Sequence, residues 1–274
     1  MRLVPGRSSK KMANAASDPL RTHELFEHDR VAAGYASARP FLHPEVFARV
    51  GDLIRPAAPF PRALDVGCGT GMSSVALLRL AREVTGVDTS VPMLLQARRA
   101  EHLRYAVSSA EELPFRSDSF ELVAACGSID WVDRERFLPR ASELLTTGGW
   151  LVSLDFGDAR RSAAMPALEA WHQEVLQAKY PTPFSADPMV TADEASACGL
   201  GEPRDHSFET EWSFTVSQYV AFLMTESNVI AAVEYGATSA EGIRRWLEAE
   251  LSGMFDGQCR PVTFEGYIQL LEGR

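Results

Sequence analysis

Short apolar runs alternate with amphipathic stretches through the first part of this chain, and the alternation predicts strands and helices in turn. The run 120–126 is almost continuously apolar, as a buried parallel strand is. The predicted strands are 63–66, 83–88, 103–107, 120–126 and 150–156. Segments with helical spacing separate them, and the first begins at Met72. Strands alternating with helices make a doubly wound parallel sheet the natural architecture.

The pattern is less regular beyond residue 156. Residues 164–180 read as an amphipathic helix, and residues 207–214 alternate apolar and polar as a half-exposed antiparallel strand does. The other predicted elements are helices over 192–197, 216–226, 228–235 and 239–252, and a last strand over 261–272. Two helices, of which the second covers about 44–54, are predicted before the first strand.

The glycine-rich turn 67–71 (GCGTG) joins the first strand to the first helix of the sheet. Strand, glycine turn and helix form the nucleotide-binding unit of parallel sheets. A dinucleotide fingerprint needs a small third residue at position 72, where this chain has Met72. Asp65 lies inside the preceding strand, where a carboxylate favours a cationic ligand and gains nothing from a pyrophosphate. No Gly-Lys-Ser/Thr follows, which excludes a P-loop.

A second acid, Asp88, ends the second predicted strand. An acid at this place accepts hydrogen bonds from the ribose hydroxyls of a nucleoside. Because NAD and other nucleoside cofactors share this requirement, Asp88 indicates a nucleoside without indicating a reaction.

Composition narrows the class of partner. The formal net charge is −10, which argues against a nucleic-acid partner. No apolar run is long enough for a membrane span, and the basic N-terminal residues lack the apolar core of a signal peptide. The four cysteines lie singly along the chain, so a reduced, cytoplasmic location is expected. No residue spacing indicates a zinc or magnesium site.

The run 64–71 (LDVGCGTG) resembles motif I of the class I S-adenosylmethionine-dependent methyltransferases. Three further runs are similar to that family in the same order: 35–40 (YASARP), 88–94 (DTSVPML) and 108–115 (SSAEELPF). The resemblance is to the family's small-molecule enzymes and covers residues 31–156 best. It implies a mostly parallel, doubly wound sheet of seven strands with helices on both faces and an antiparallel last strand, and S-adenosyl-L-methionine as cofactor.

The resemblance also assigns site residues. Tyr35 and Arg39 would line the cofactor pocket, with Arg39 paired to the carboxylate of the cofactor, and Met93 would pack on the adenine. The family often has an acid where this chain has Ser109, so this hydroxyl or Glu111 would take over the contact with the adenine amino group. The expected cofactor-binding residues are Tyr35, Arg39, Asp65, Gly67, Cys68, Gly69, Gly71, Asp88, Thr89, Met93, Ser109, Ala110, Glu111 and Cys126.

The acceptor side carries less signal, because methyl transfer needs alignment of the reactants and no fixed catalytic triad. The loop after the fourth strand should face the reactive methyl. Many relatives have His-Trp in this loop, and this chain has Asp130-Trp131. Asp130, His28 and Tyr35 are candidates for catalysis, and His23 and His43 also lie in the leader that would cover the pocket. The candidate substrate-binding residues are Trp131, Trp171, Trp212 and Phe222.

The expected organisation is a flexible extension over 1–18 and one methyltransferase domain over 19–274. That domain is divided into a helical cap (19–60), a cofactor-binding half (61–156), substrate-side elements (157–260) and a last strand (261–274). The expected function is methyl transfer to a small-molecule acceptor. Two alternatives stay open: a nicotinamide-dependent oxidoreductase and a nucleoside-binding protein without catalysis. The acceptor atom and the oligomeric state are left open.

Overall fold

The computed structural model describes residues 23–183, 187–236 and 238–273, with side chains from Leu25 onward. The extension predicted over residues 1–18 lies outside the described residues.

The strands form a seven-stranded sheet with strand order β3-β2-β1-β4-β5-β7-β6. The strands are β1 (Phe60–Val66), β2 (Ala81–Asp88), β3 (Leu103–Val107), β4 (Phe120–Cys126), β5 (Leu145–Arg161), β6 (Arg204–Phe214) and β7 (Arg260–Glu272). Strand β1 pairs in parallel with both β2 and β4, and Asp65 is in register with Gly86 on one side and Ala124 on the other. This central position explains why Asp65 is fully buried.

Helices alternate with the parallel strands, as the sequence predicts. They are α1 (Asp29–Ala38), α2 (His43–Ile54), α3 (Met72–Leu77), α4 (Val91–Leu95), α5 (Arg134–Leu144), α6 (Leu168–Trp171), α7 (Gln177–Lys179), α8 (Ala192–Ala197), α9 (Val216–Leu223), α10 (Ser227–Glu234) and α11 (Ala240–Phe255). Phe137, Ala141 and Leu144 of α5 belong to one buried cluster with Leu64 of β1 and Val123 of β4. Burial of this apolar face holds the helix on the sheet.

The last strands run antiparallel to the others, which confirms the expected sheet type. The N–H of Gly273 donates to the oxygen of Gly149 over 2.7 Å. Further along β5, the Ser153 side chain meets Tyr267 of β7. Residues later in β5 therefore lie opposite residues earlier in β7, as in an antiparallel pair.

Two elements differ most from the sequence prediction. Strand β5, expected over 150–156, extends from Leu145 to Arg161. Its early start includes Gly148 and Gly149, which form hydrogen bonds with Gly273. The helix expected over 164–180 begins only at Leu168 and contains a π-helical turn at His172–Leu176. Pro166 disfavours helical backbone at the residue before it, which explains the late start.

The chain divides into two compact units. The sheet unit comprises the described residues within 40–159, 187–210 and 264–274, and the helical unit those within 1–39, 160–186 and 211–263. The single domain expected over 19–274 stays a prediction. Within the described ranges, every helix is too short or too polar to cross a membrane.

Candidate functional site

The turn 67–71 connects β1 to α3 in the sheet unit, and its three glycines have different surroundings. All three have positive φ, which residues with side chains rarely adopt. A Cβ on Gly67 would lie 2.5 Å from the Cβ of Ser128, and one on Gly71 would lie 2.1 Å from the hydroxyl of Tyr105. A Cβ on Gly69 would meet nothing within 4 Å. Gly67 and Gly71 therefore permit packing inside the protein, whereas the space beside Gly69 is available to a ligand.

Asp65 lies in β1, two residues before this turn, and is fully buried. One carboxylate oxygen, Oδ2, accepts hydrogen bonds from the hydroxyls of Ser73 (2.7 Å) and Ser74 (2.5 Å) of α3. The other oxygen, Oδ1, has no hydrogen-bond partner among the described residues. Burial raises the pKa of Asp65 to about 6, against the smaller effect of the two serine hydroxyls. A buried carboxylate with a spare acceptor fits a cationic hydrogen-bond donor.

Asp88 ends β2 beside the same turn. Its Oδ2 accepts from the N–H of Gly69 over 2.7 Å, and its Oδ1 accepts from the N–H of Ser90 over 2.8 Å. A carboxylate oxygen has more than one acceptor site and can accept a further hydrogen bond beside one that it already accepts. Asp88 therefore fixes the glycine turn and lies where a ribose is expected.

The expected adenine side is formed by two short elements. Met93 of α4 is buried, and its N–H donates to the hydroxyl of Ser90 at the start of this helix. Ala110 is buried and opens a single 3₁₀ turn that Ser109 precedes. Glu111 accepts a hydrogen bond from the N–H of Asp133 over 2.9 Å, so part of its acceptor capacity is already in use. Thr89 is exposed.

Two thiols lie close to the turn. Burial raises the pKa of both Cys68 and Cys126 well above the usual value, and the charge of Asp65 adds to this effect. Both therefore stay protonated at neutral pH and act as small packing groups rather than nucleophiles.

The carboxyl ends of β4 and β5 carry the acceptor-side candidates of the sheet unit. Asp130 follows β4 on a 3₁₀ turn with Trp131, and both are half-buried. Burial, and then the charge of Asp155, raise the pKa of Asp130 to about 6. Asp155 accepts hydrogen bonds from the N–H groups of Phe156 (2.6 Å) and Gly157 (3.0 Å).

The helical unit holds the expected residues of the leader. The Arg39 guanidinium donates to the Thr225 hydroxyl over 2.7 Å and forms an ion pair with Glu226 at 3.0 Å. It lies over the rings of Tyr35 and Phe222, 4.6 and 4.8 Å from their centroids. The assignment of Tyr35 and Arg39 to the cofactor stays a prediction.

The other candidates in the helical unit have diverse surroundings. Phe222 is fully buried between aromatic neighbours, and Trp171 is buried with its indole N–H donating to Glu250 over 3.2 Å. Trp212 is 41% exposed. His28 is exposed and contacts Glu234 at 3.3 Å. Their roles in substrate binding and catalysis also stay predictions.

Sequence reasoning missed several groups that shape these surroundings: Ser73, Ser74, Ser128, Asp155 and Tyr267. The two serines come one residue after the glycine turn, beyond Met72, so their position was a usable signal for hydroxyls near Asp65. Tyr267 had no such signal, because it meets Ser153 across 114 positions of the chain.

Three comparisons bear on the identity of the chain. A family model described as a methyltransferase domain matches residues 64–153. Malonyl-[acyl-carrier protein] O-methyltransferase of Herminiimonas arsenicoxydans is 28% identical over 235 residues, 84% of this chain and 86% of that protein. The protein of the same name from Enterobacter lignolyticus is 37% identical over 111 residues, 38% of this chain and 43% of that protein.

Solved structures share the fold. A proposed type II methyltransferase from Anaeromyxobacter dehalogenans superposes with a TM-score of 0.64 at 21% identity, over 84% of this chain and 95% of that chain. At this identity the likeness shows the fold alone. The matching methyltransferase domain and the sequence relatives named as methyltransferases, on this fold, support an S-adenosylmethionine-dependent methyltransferase enzyme.

Proposed function

We propose that this enzyme transfers the methyl group of S-adenosylmethionine to a small-molecule acceptor by in-line displacement at the carboxyl edge of its sheet. The observation that carries the proposal is the combination of a buried Asp65 carboxylate with free space beside Gly69 in the turn that follows it. Among the described residues, one oxygen of this buried carboxylate has no hydrogen-bond partner, and the turn that follows the strand leaves room for a ligand beside Gly69. S-adenosylmethionine is cationic, and its amino group suits that oxygen.

Each part of the site has a task in this proposal. Asp65 would hold the cationic methionine part, Asp88 the ribose hydroxyls, and Met93 and Ala110 the adenine. The bound cofactor supplies a methyl group activated by a positively charged sulfur. The protein contributes alignment of the acceptor with this methyl and exclusion of water.

Calorimetric titration with S-adenosylhomocysteine, beside NAD and NADP, tests the proposal. Saturable binding of S-adenosylhomocysteine alone is expected. Binding of a nicotinamide cofactor instead would favour the oxidoreductase alternative. Tight binding of S-adenosylhomocysteine without a methylated product from any acceptor class would favour a binding protein without catalysis.

A second acceptor class comes from the names of the relatives. Both relatives described above are named as O-methyltransferases of malonyl-[acyl-carrier protein], and the first aligns over most of this chain. A malonyl thioester of an acyl carrier protein therefore belongs in the acceptor screen. Formation of its methyl ester would assign an oxygen acceptor.

Replacement of Asp88 tests the ribose assignment. Asp88→Ala should weaken binding of S-adenosylhomocysteine by about 1–3 kcal/mol, because it removes hydrogen bonds to a charged acceptor. It also releases the N–H groups of Gly69 and Ser90. Asp88→Asn keeps one acceptor oxygen, so its affinity for S-adenosylhomocysteine should lie between those of the wild-type protein and Asp88→Ala. Calorimetry measures the three affinities, and unchanged affinity in Asp88→Ala would exclude the ribose role.

A further inference from the structure

Two consecutive serines of α3 hold one oxygen of the Asp65 carboxylate. The hydroxyls of Ser73 and Ser74 both donate to Oδ2, over 2.7 and 2.5 Å, and both side chains are buried. A serine hydroxyl has a single proton to donate, so the two donors are committed to the same oxygen. The contact joins the first turn of α3 to the centre of β1.

The neighbouring strand leaves space for this contact. Asp65 of β1 is in register with Gly86 of β2, and a Cβ on Gly86 would lie 2.8 Å from the hydroxyl oxygen of Ser74. The Ser74 hydroxyl therefore occupies the space that a side chain at position 86 would fill. Any larger residue at this position would displace the hydroxyl from Asp65.

The two oxygens of Asp65 consequently differ in their surroundings. One oxygen faces the serines, and the other, Oδ1, is buried without a hydrogen-bond partner among the described residues. A buried acceptor that the protein leaves unsatisfied lowers stability unless a ligand brings a donor to it. The turn that follows β1 has open space beside Gly69, so a ligand can approach this part of the sheet unit.

We propose that Ser73 and Ser74 are positioning residues, which orient the Asp65 carboxylate so that its second oxygen binds the amino group of S-adenosylmethionine. This rests on the proposed function. A buried carboxylate without donors takes up a proton and loses its attraction for a cation. Two hydroxyl donors on one oxygen favour the charged form and leave the other oxygen for a charge-assisted hydrogen bond.

The groups around Asp65 determine the direction of the expected pH effect. Burial raises the pKa of Asp65 to about 6, against the hydroxyls of Ser74 and Ser73, which lower it. The negative charge of Asp88 at the end of β2 makes a smaller upward contribution. Three further titratable groups, from the turn, β3 and β4, have pKa values that burial raises, and they stay neutral at neutral pH: Cys68, Tyr105 and Cys126. Loss of the two serine hydroxyls should therefore raise the pKa of Asp65 further.

The double variant Ser73→Ala/Ser74→Ala tests the proposal by calorimetric titration with S-adenosylhomocysteine between about pH 5 and pH 8. At pH 7 its affinity should be about ten-fold lower than that of the wild-type protein. The pH below which affinity falls should move up by about one unit, because more of the Asp65 carboxylate is protonated.

Ser162→Ala is the matched control. Ser162 is a buried serine of the helical unit, and its hydroxyl donates to the oxygen of Pro261 over 2.6 Å. This variant also loses a buried hydrogen bond, so urea denaturation should show a loss of stability. Its affinity for S-adenosylhomocysteine and the pH dependence of that affinity should be those of the wild-type protein.

Two further readouts separate positioning from a general structural effect. In the Asp65→Asn background the two serine replacements should cost little further affinity, because they act through the carboxylate. The second readout uses 5′-methylthioadenosine, which has the nucleoside and the sulfur of the cofactor without its amino group. Its affinity should be the same in the wild-type protein and in Ser73→Ala/Ser74→Ala.

Three results would overturn the positioning role of the serines. They are an unchanged affinity and pH profile in the double variant, an equal loss of affinity in the Asp65→Asn background, and an equal loss for 5′-methylthioadenosine. Failure of the wild-type protein to bind S-adenosylhomocysteine would instead count against the proposed function.

Discussion

Asp65→Asn should bind S-adenosylhomocysteine about 100-fold more weakly than the wild-type protein at pH 8, while remaining at least as stable. The loss of affinity follows because a charge-assisted hydrogen bond to a buried carboxylate contributes roughly 1.5–3 kcal/mol. The amide keeps an acceptor for the hydroxyls of Ser73 and Ser74, which now bond to Oδ2. Calorimetry and urea denaturation measure the two quantities.

The stability of Asp65→Asn follows from the direction of the pKa shift. Burial raises the pKa of Asp65 from 3.8 to about 6. The folded protein therefore holds this proton at pH values where the unfolded chain has lost it, and this contribution to stability disappears as the pH rises to about 6. Above that pH the ionised carboxylate lowers the stability of the wild-type protein by at most about 3 kcal/mol. Asp65→Asn avoids this cost, and the gain offsets the cost of burying its unpaired amide N–H groups.

The same shift predicts the pH dependence of binding. Wild-type affinity for S-adenosylhomocysteine should be constant above about pH 7 and fall below about pH 6, because protonated Asp65 loses its attraction for a cation. The fall in affinity that is due to Asp65 should be absent in Asp65→Asn. Asp118→Asn is the control, since Asp118 is an exposed acid of the sheet unit. If Asp65→Asn bound S-adenosylhomocysteine as tightly as the wild-type protein does, Asp65 would be excluded as the partner of the cofactor cation.

The sequence predicted those parts of the site whose signals lie close together along the chain. The turn 67–71 with Asp65 before it, and Asp88 at the end of β2, were placed by patterns of a few residues. The structure brings them together because β1 and β2 are adjacent and parallel, with the N–H of Gly69 on the Asp88 carboxylate. Local pattern and sheet topology were sufficient to bring these groups together, and their role in cofactor binding stays a prediction.

The acceptor side depends on pairing between distant segments, which no local pattern encodes. Tyr267 reaches Ser153 only because β7 enters the sheet between β5 and β6. Arg39 is a second case: its interactions with Thr225 and Glu226 join residues 186 positions or more apart. The early start of β5 was missed for the same reason, since Gly148 and Gly149 form hydrogen bonds with the distant Gly273.

Gly69→Ala should also weaken binding of S-adenosylhomocysteine about 100-fold, with a smaller effect on folding than on binding. The added methyl meets nothing in the protein within 4 Å, so it projects into the space that the proposed function gives to the cofactor. Overpacking of a fitted contact costs roughly 1–3 kcal/mol. Gly69 has φ +50, and placing a side chain there costs about 1–2 kcal/mol of stability by itself.

Gly148→Ala separates the steric effect on binding from this backbone strain. Gly148 has φ +73, its added Cβ also meets nothing within 4 Å, and it lies on β5 near the start of the strand. Both variants should lose similar stability in urea denaturation, whereas only Gly69→Ala should lose affinity. Equal affinities in the two variants would show that the cofactor does not approach Gly69. In that case the bulkier Gly69→Val should also bind S-adenosylhomocysteine normally. If the proposed site is right, Gly69→Val should not bind it.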